Sequence, residues 1–188
     1  AGSVGQFISS AGSGATPSWT YGKSFTMVSG AYYVPTGATI SNSTGSAGNT
    51  VFVYFVPIYI PNTITATKIS VIITSAVASS LLKLAIYTNN TATNTPNTLL
   101  LDAGTVSGAA TGTVTTTTFS QSLTGGTIYW LAHLANTATP QVQLQVGGMD
   151  LFKITTPSST VPNCVRYSVT AGSAFPSPIT AGSLQYLT

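Results

Sequence analysis

Few side chains in this chain can carry acid–base or nucleophilic chemistry. Its 188 residues include two carboxylic acids, Asp102 and Asp150, one histidine, His133, and one cysteine, Cys164. Glycoside hydrolysis usually requires two carboxyl groups that face one bond. Both aspartates lie two residues from a glycine, however, and are typical of turns at strand ends. The sequence therefore predicts no catalytic residues.

His133 and Cys164 favour structural interpretations. No acid or hydroxyl forms a nucleophile arrangement with His133, and strand alternation places its ring on one face with Tyr129 and Leu131. One histidine, one cysteine and two aspartates make no metal-ligand cluster, and no phosphate-binding loop is present. Cys164 fits a small buried residue, with an exposed thiol or an interchain bridge as the alternative. We expect no enzyme activity, metal or cofactor.

Charge is unusually scarce in this composition. Only 4% of residues are charged, against about 25% in an average soluble domain, while the hydrophobic fraction of 43% is ordinary. The 9 Tyr, 7 Phe and 2 Trp indicate a chain that folds. The formal charge of +3 comes from dispersed cations, whereas a nucleic-acid surface needs clustered ones. The longest apolar run, residues 51–60, is too short for a membrane helix. We expect neither a nucleic-acid partner nor membrane insertion.

With catalysis and metal binding set aside, the chemistry that this sequence favours is ligand binding by aromatic and uncharged polar side chains. Tyrosine rings offer flat apolar faces for stacking on sugar rings, and Asn, Gln, Ser and Thr supply hydrogen bonds without charge. Packing in the core or at a subunit interface is the alternative for each tyrosine. The binding candidates are Tyr32, Tyr33, Tyr59, Tyr87, Asn89, Asn90 and Tyr186.

Short strand-like segments must position these groups. They are rich in β-branched or aromatic residues and are bounded by Gly, Asn, Thr or Pro. The clearest are residues 69–73, 81–87, 99–102, 128–134 and 164–169. With no helical periodicity, this pattern predicts an all-β fold, an antiparallel β-sandwich or jelly-roll-like body over residues 21–188. Residues 1–20 are expected to form an extended N-terminal arm, a possible fibre-shaft or oligomerisation segment.

Two turns carry specific expectations. The Gly125-Gly126 pair predicts a hairpin of residues 115–123 with residues 128–134. Residues 89–97 contain only Asn, Thr, Ala and Pro, and they predict a loop or a distal tip.

Residues 51–56 predict a strand that is apolar on both faces. Each face must then be covered, either by two layers of one subunit or by a neighbouring subunit, and we interpret the pattern as a sign of oligomerisation. Pro57 and Pro61 predict an edge strand or a strand that changes sheets. The candidates for oligomer contact or anchoring are Phe7, Ile8, Trp19, Phe52 and Tyr54.

Residues 5–19, GQFISSAGSGATPSW, carry a family resemblance. They resemble the G-Q-hydrophobic-L-x-S-x-G-x-G-A-x-P-x-W segment of tail fibres and other tail proteins of bacteriophages, with Ile8 where Leu is usual. That segment commonly precedes a distal β-rich domain. In physical terms, Phe7 and Ile8 predict a short strand, residues 12–14 a turn, and Trp19 an anchor. A flexible leader is the alternative.

Residues 65–134 are similar in style to distal domains of phage fibres, through Ile69-Ser70-Val71, Leu84-Ala85-Ile86-Tyr87 and Tyr129-Trp130-Leu131-Ala132. The resemblance implies a homotrimer in the virion, with other tail proteins as partners. It implies a tail fibre or fibre-tip protein that binds a host-surface glycan or protein without catalysis, with a carbohydrate as the favoured receptor. The alternative is a structural virion protein, such as a capsid decoration or tail-connecting protein, that binds only other virion proteins.

Overall fold

The computed structural model describes residues 6–9, 13–14, 16–21, 51–135, 140–142 and 165–186. Within them the fold is all-β and antiparallel, and a single 3₁₀ turn, Ala181–Ser183, is the only helical element. The strands are β1 Gln6–Ser9, β2 Ser18–Tyr21, β3 Phe52–Ile60, β4 Ile64–Ala66, β5 Ser70–Ser75, β6 Leu81–Asn90, β7 Thr95–Ser107, β8 Gly112–Thr115, β9 Gln121–Leu123, β10 Thr127–Ala135, β11 Gln141–Val142, β12 Val165–Ser168 and β13 Leu184–Tyr186. This confirms the predicted fold class, while the jelly-roll arrangement stays a prediction.

The chain divides into two compact units, residues 1–32 and residues 33–188. In the first, β1 and β2 form an antiparallel hairpin that pairs Ile8 with Trp19. The predicted strand at Phe7 and Ile8 is confirmed. Gly14 has a φ of +87°, a conformation that favours glycine, in the turn between the two strands.

The larger unit is built on a six-stranded sheet in the order β13-β12-β3-β10-β6-β7. Its central strand β10 pairs Ala132 with Phe55 on β3 and with Ala85 on β6. Residues that pair directly across strands lie on the same face of a sheet. The register therefore puts Trp130 and Tyr87 on one face, and His133 and Leu84 on the other.

The face that carries Trp130 and Tyr87 is covered by residues 169–183, which we call the strap. Phe175 and Ile179 of the strap join the buried cluster that contains Phe55, Tyr87 and Trp130. The strap is also tied to the sheet by hydrogen bonds. The Tyr87 hydroxyl donates to the carbonyl of Pro176 at 2.7 Å, and the amide of Ile179 donates to the carbonyl of Asn97 at 2.7 Å. We call this side of the sheet the strap face.

The opposite face packs on a small sheet of β11, β5 and β8. Ile73 and Val142 from this sheet lie in one buried cluster with Leu82, Leu84 and Ala135. On β3, Val53, Tyr54 and Phe55 are each at most 3% exposed. The chain thus buries both faces of β3 by itself. The layers of one subunit are therefore sufficient to cover the apolar residues of this strand, and a neighbouring subunit is not needed for it.

The connection between β3 and β4 changes sheets, as Pro57 and Pro61 predict. Among the described residues, β12 pairs with β3 from Phe52 to Phe55, and Pro57 pairs with Trp130 on β10. A proline has no amide to donate to a neighbouring strand. After Pro61 the chain enters β4, which pairs with β9 in a separate two-stranded ribbon.

The predicted hairpin of residues 115–123 with residues 128–134 is wrong. β9 pairs with β4, and β10 pairs with β3 and β6. Gly125 and Gly126 instead redirect the chain from the ribbon into the large sheet. Gly126 has a φ of +74°, and a Cβ on Gly125 would lie 2.7 Å from the Cα of Asn62. The pair is needed for this close approach of two backbones.

Candidate functional site

The turn between β6 and β7, residues 90–95, is shaped by its own polar side chains, and we call it the tip. The Asn94 amide donates to the Asn90 carbonyl at 2.7 Å, and the Ala92 amide donates to Asn90 Oδ1 at 3.0 Å. The hydroxyls of Thr93 and Thr95 share a hydrogen bond of 2.8 Å. Asn94 has a φ of 51°, which Asn tolerates better than most residues. The predicted loop over residues 89–97 is thus shorter than expected, because these bonds let both strands continue to the tip.

A buried indole fixes the tip to the core. Trp130 is 1% exposed, and its Nε1 donates to Asn89 Oδ1 at 2.9 Å. Asn89 Nδ2 in turn donates to Asn94 Oδ1 at 3.3 Å. The oxygen and the nitrogen of the Asn89 side-chain amide are therefore both engaged in hydrogen bonds within the chain. We infer that Asn89 positions the tip, and that Asn90 shapes it through the bond to Ala92.

The apex of the tip presents small uncharged groups to solvent. Thr91, Ala92 and Thr93 are all exposed. Among the residues that the structure describes on the two flanking strands, the charged side chains are Lys83 and Asp102, each seven positions from the tip. At about 3.3 Å per residue this is roughly 23 Å. From these two strands, a ligand at the apex would therefore meet hydroxyl, methyl and backbone groups and no charge within that distance.

Tyr59 lies at the same end of the sheet as the tip. It pairs with Ile128 on β10, so it shares the strap face with Trp130, and both Tyr59 and Ile128 are half-buried. Asn89 lies on this face too, since Trp130 bonds to it. The structure thus brings Tyr59, Asn89 and Asn90 to one end of the large sheet, where Tyr59 offers a ring and Asn89 holds the tip in place rather than offering its own polar groups.

Tyr87 does not belong to this surface, and its prediction as a binding residue is wrong. Its ring is fully buried, packed edge-on against Phe55 at 5.1 Å and against Phe175 at 6.2 Å between centroids. Burial, and secondarily the charge of Asp102, raises the pKa of Tyr87 well above its ordinary value. The hydroxyl therefore stays a donor to the strap.

Tyr54 is also wrong as a candidate for oligomer contact, because it is 3% exposed within its own chain. Phe52 is half-buried. Tyr186 is on β13, at the edge of the sheet opposite β7, and Phe7, Ile8 and Trp19 are on the first hairpin. Tyr32 and Tyr33 lie outside the described residues.

The groups considered for catalysis have structural surroundings where they are described. His133 stacks on Tyr54 with ring centroids 5.1 Å apart and planes 11° apart, and burial lowers its pKa to about 4. Asp102 Oδ1 accepts a hydrogen bond from the Gly104 amide at 3.0 Å, but the predicted turn at a strand end is wrong, because Asp102 lies inside β7 next to a register shift in its pairing with β6. The described residues contain no group of three potential metal ligands and no helix able to cross a membrane. Asp150 and Cys164 lie outside them.

The exposed residues of the apex, Thr91, Ala92 and Thr93, lie within the predicted loop or distal tip of residues 89–97, but none of them was predicted individually as a binding residue. The sequence feature that could have indicated this turn is the set Asn89, Asn90 and Asn94, because Asn side chains form hydrogen bonds to nearby backbone groups in turns. No protein-family model matches the chain, and no curated protein or solved structure is significantly similar to it. The function must therefore be argued from the geometry of the site together with the resemblance of the N-terminal segment.

Proposed function

We propose that this chain is a tail fibre or fibre-tip protein of a bacteriophage virion that binds a host-surface carbohydrate without catalysis. The N-terminal segment supports the setting, since it resembles a segment found just before distal β-rich domains of tail proteins. The observation that carries the binding role is the tip. It is an exposed, uncharged loop held in one conformation by bonds that reach a buried tryptophan.

The fixed shape of the tip favours binding of a weakly interacting ligand. Ordering a free loop costs about 1–2 kcal/mol for each residue. Here the hydrogen bonds of Asn90 and Asn94 order the loop when the protein folds. The entropy cost of ordering the loop therefore does not reduce the affinity for a ligand. The Thr91 hydroxyl and the backbone groups of the apex can donate to and accept from sugar hydroxyls. The half-buried ring of Tyr59 offers an apolar face at the same end of the sheet.

The same surroundings make a charged ligand a poor fit at the apex. A carboxylate or phosphate bound there would lose water without a compensating cation from the described residues of the flanking strands, because Lys83 is roughly 23 Å away along β6. Lys83 is moreover engaged with the strap, where its Nζ donates to the Ser173 carbonyl at 2.8 Å. We therefore assign a neutral saccharide to the tip.

Binding of the purified protein to host cells, in competition with host-surface polysaccharide, tests this proposal. We expect saturable binding that the isolated polysaccharide abolishes. Binding that protease treatment of the cells removes and polysaccharide leaves intact would replace the carbohydrate by a protein receptor.

A structural virion protein is the second candidate, and exposed apolar side chains favour it. Ile72, Val77 and Leu81 are between 36% and 41% exposed, and such residues suit contacts with other virion proteins. If the protein binds no host cells yet coats fibre-free particles, this second function takes the place of the first.

A further inference from the structure

The chain contains a single arginine, and its side chain is held in place on the face opposite the strap. Arg166 on β12 pairs with Tyr54 on β3, so the two share that face. The guanidinium carbon lies 4.3 Å from the centroid of the Phe52 ring. Nε donates to Gln185 Oε1 at 2.8 Å. One face and one edge of the guanidinium are thus occupied by neutral groups of the same chain.

Among the residues that the structure describes, these two contacts leave the terminal nitrogens of Arg166 for another partner. A guanidinium has five N–H donors, and its two terminal nitrogens form a fork that fits a carboxylate or a phosphate. An ammonium group lacks this geometry. Because Phe52 and Gln185 already restrict the side chain, a ligand would not have to order a free arginine.

The described part of the chain supplies no carboxylate to this fork. Its one acidic side chain, Asp102, lies on β7, four strands from β12 in the sheet. At about 4.8 Å per strand this separation is roughly 19 Å. Asp102 Oδ1 is also engaged with the Gly104 amide. Arg166 is half-buried, so its charge is partly removed from water and an oxyanion would be bound more strongly than at a fully exposed cation.

We propose that Arg166, positioned by Phe52 and Gln185, is a binding site for the oxyanion of an acidic saccharide, a uronate carboxylate or a sugar phosphate. The saccharide part of this assignment rests on the proposed host-surface function, whereas the oxyanion part rests on the geometry alone. The site is separate from the tip, because Phe52 begins β3 and the tip lies beyond the other end of that strand.

The single arginine makes the test direct, since its Nε–Hε signal in an NMR spectrum needs no assignment among several arginines. The labelled protein is titrated with sodium glucuronate and with glucose 1-phosphate, and sodium chloride at equal ionic strength is the control. We expect a saturable shift of the Nε–Hε signal with a Kd on the order of 1–10 mM. Saturation by glucuronate assigns a carboxylate, and saturation by the phosphate alone assigns a phosphate.

Variants distinguish the fork from a general positive charge. Arg166→Gln and Arg166→Lys should each weaken glucuronate binding at least tenfold, as measured from the ligand signals. Lys68→Gln removes an exposed cation elsewhere and should leave the Kd within twofold. Gln185→Ala keeps the charge and should weaken binding a few-fold, because the fork is less well held.

Two results would overturn the proposal: a shift that chloride reproduces, or an unchanged Kd in Arg166→Gln. Failure of the protein to bind host cells would leave a saturable, Arg166-dependent shift intact. Those two results together would refute the proposed host-receptor function and would support the oxyanion site at Arg166.

Discussion

At the scale of single residues, burial explains which of the candidate side chains can reach a ligand. Tyr87 and Tyr59 are both tyrosines on interior strands, yet Tyr87 is fully buried and Tyr59 is half-buried. Their sequence surroundings do not separate them, because the difference comes from the strap, which crosses Tyr87 and bonds to it. A burial that depends on contacts 89 residues apart cannot be read from local alternation.

His133 gives a prediction for stability against pH. Its pKa is about 4 in the folded chain and about 6.5 when unfolded, so protonation favours unfolding. Its contribution is complete above pH 6.5 and is lost as the pH falls toward 4, by roughly 3 kcal/mol in the free energy of unfolding. Urea unfolding at pH 7 and pH 4 measures this loss. His133→Phe keeps a ring against Tyr54 but cannot titrate, so its stability should change much less. An equal loss in both proteins would contradict the assignment.

Asn89 gives a second prediction at this scale. Asn89→Ala leaves the buried Trp130 N–H without its acceptor and frees Asn94, so we expect the free energy of unfolding to fall by about 1–3 kcal/mol. Urea denaturation measures the change. Asn97→Ala is the matched control, because the backbone of this half-buried neighbour makes the strap contact; it should change stability by less than about 1 kcal/mol. Equal effects of the two substitutions would show that the link from Trp130 to the tip is unimportant.

At the scale of elements, strands were predictable and their partners were not. Alternation and turn residues place β6 and β10 within a few residues of their observed ends, because these strands contain their own signal. The Gly125-Gly126 pair is a hairpin signal by its type, but the backbone of Asn62 and Thr63 packs against it and sets a different direction. The role of residues 169–183 was missed altogether, since a strap has no periodicity and its apolar residues are spaced irregularly.

The strap gives the prediction for this scale. Phe175 packs in the same buried cluster as Phe55 and Tyr87, so Phe175→Ala should lower the free energy of unfolding by about 3–5 kcal/mol. Thr180→Ala, an exposed position of the same strap, should change it by less than about 0.5 kcal/mol. Thermal and urea denaturation of both variants provide the measurement. A loss below about 1 kcal/mol for Phe175→Ala would mean that the strap does not cover the sheet in solution.

At the scale of the whole molecule, the low charge and the fibre resemblance still predict a trimer. One argument for assembly has been removed, because the chain covers both faces of β3 by itself. Light scattering of the full chain should report about three times the chain mass of 19.2 kDa. A stable monomer at micromolar concentration would contradict the trimer, while the binding role of the tip would be unaffected.

The central claim is that the tip binds the host receptor, and a paired substitution in two turns tests it most directly. Thr91→Ala with Ala92→Glu alters the exposed apex of the tip, and Thr111→Ala with Ala110→Glu makes the same changes in the exposed turn between β7 and β8. Because a carboxylate at the exposed apex would lose its water when a neutral saccharide covers it, we expect the tip variant to bind host cells at least tenfold more weakly than the unmodified protein. The turn variant should bind within twofold of it. Equal binding by both variants would contradict the account.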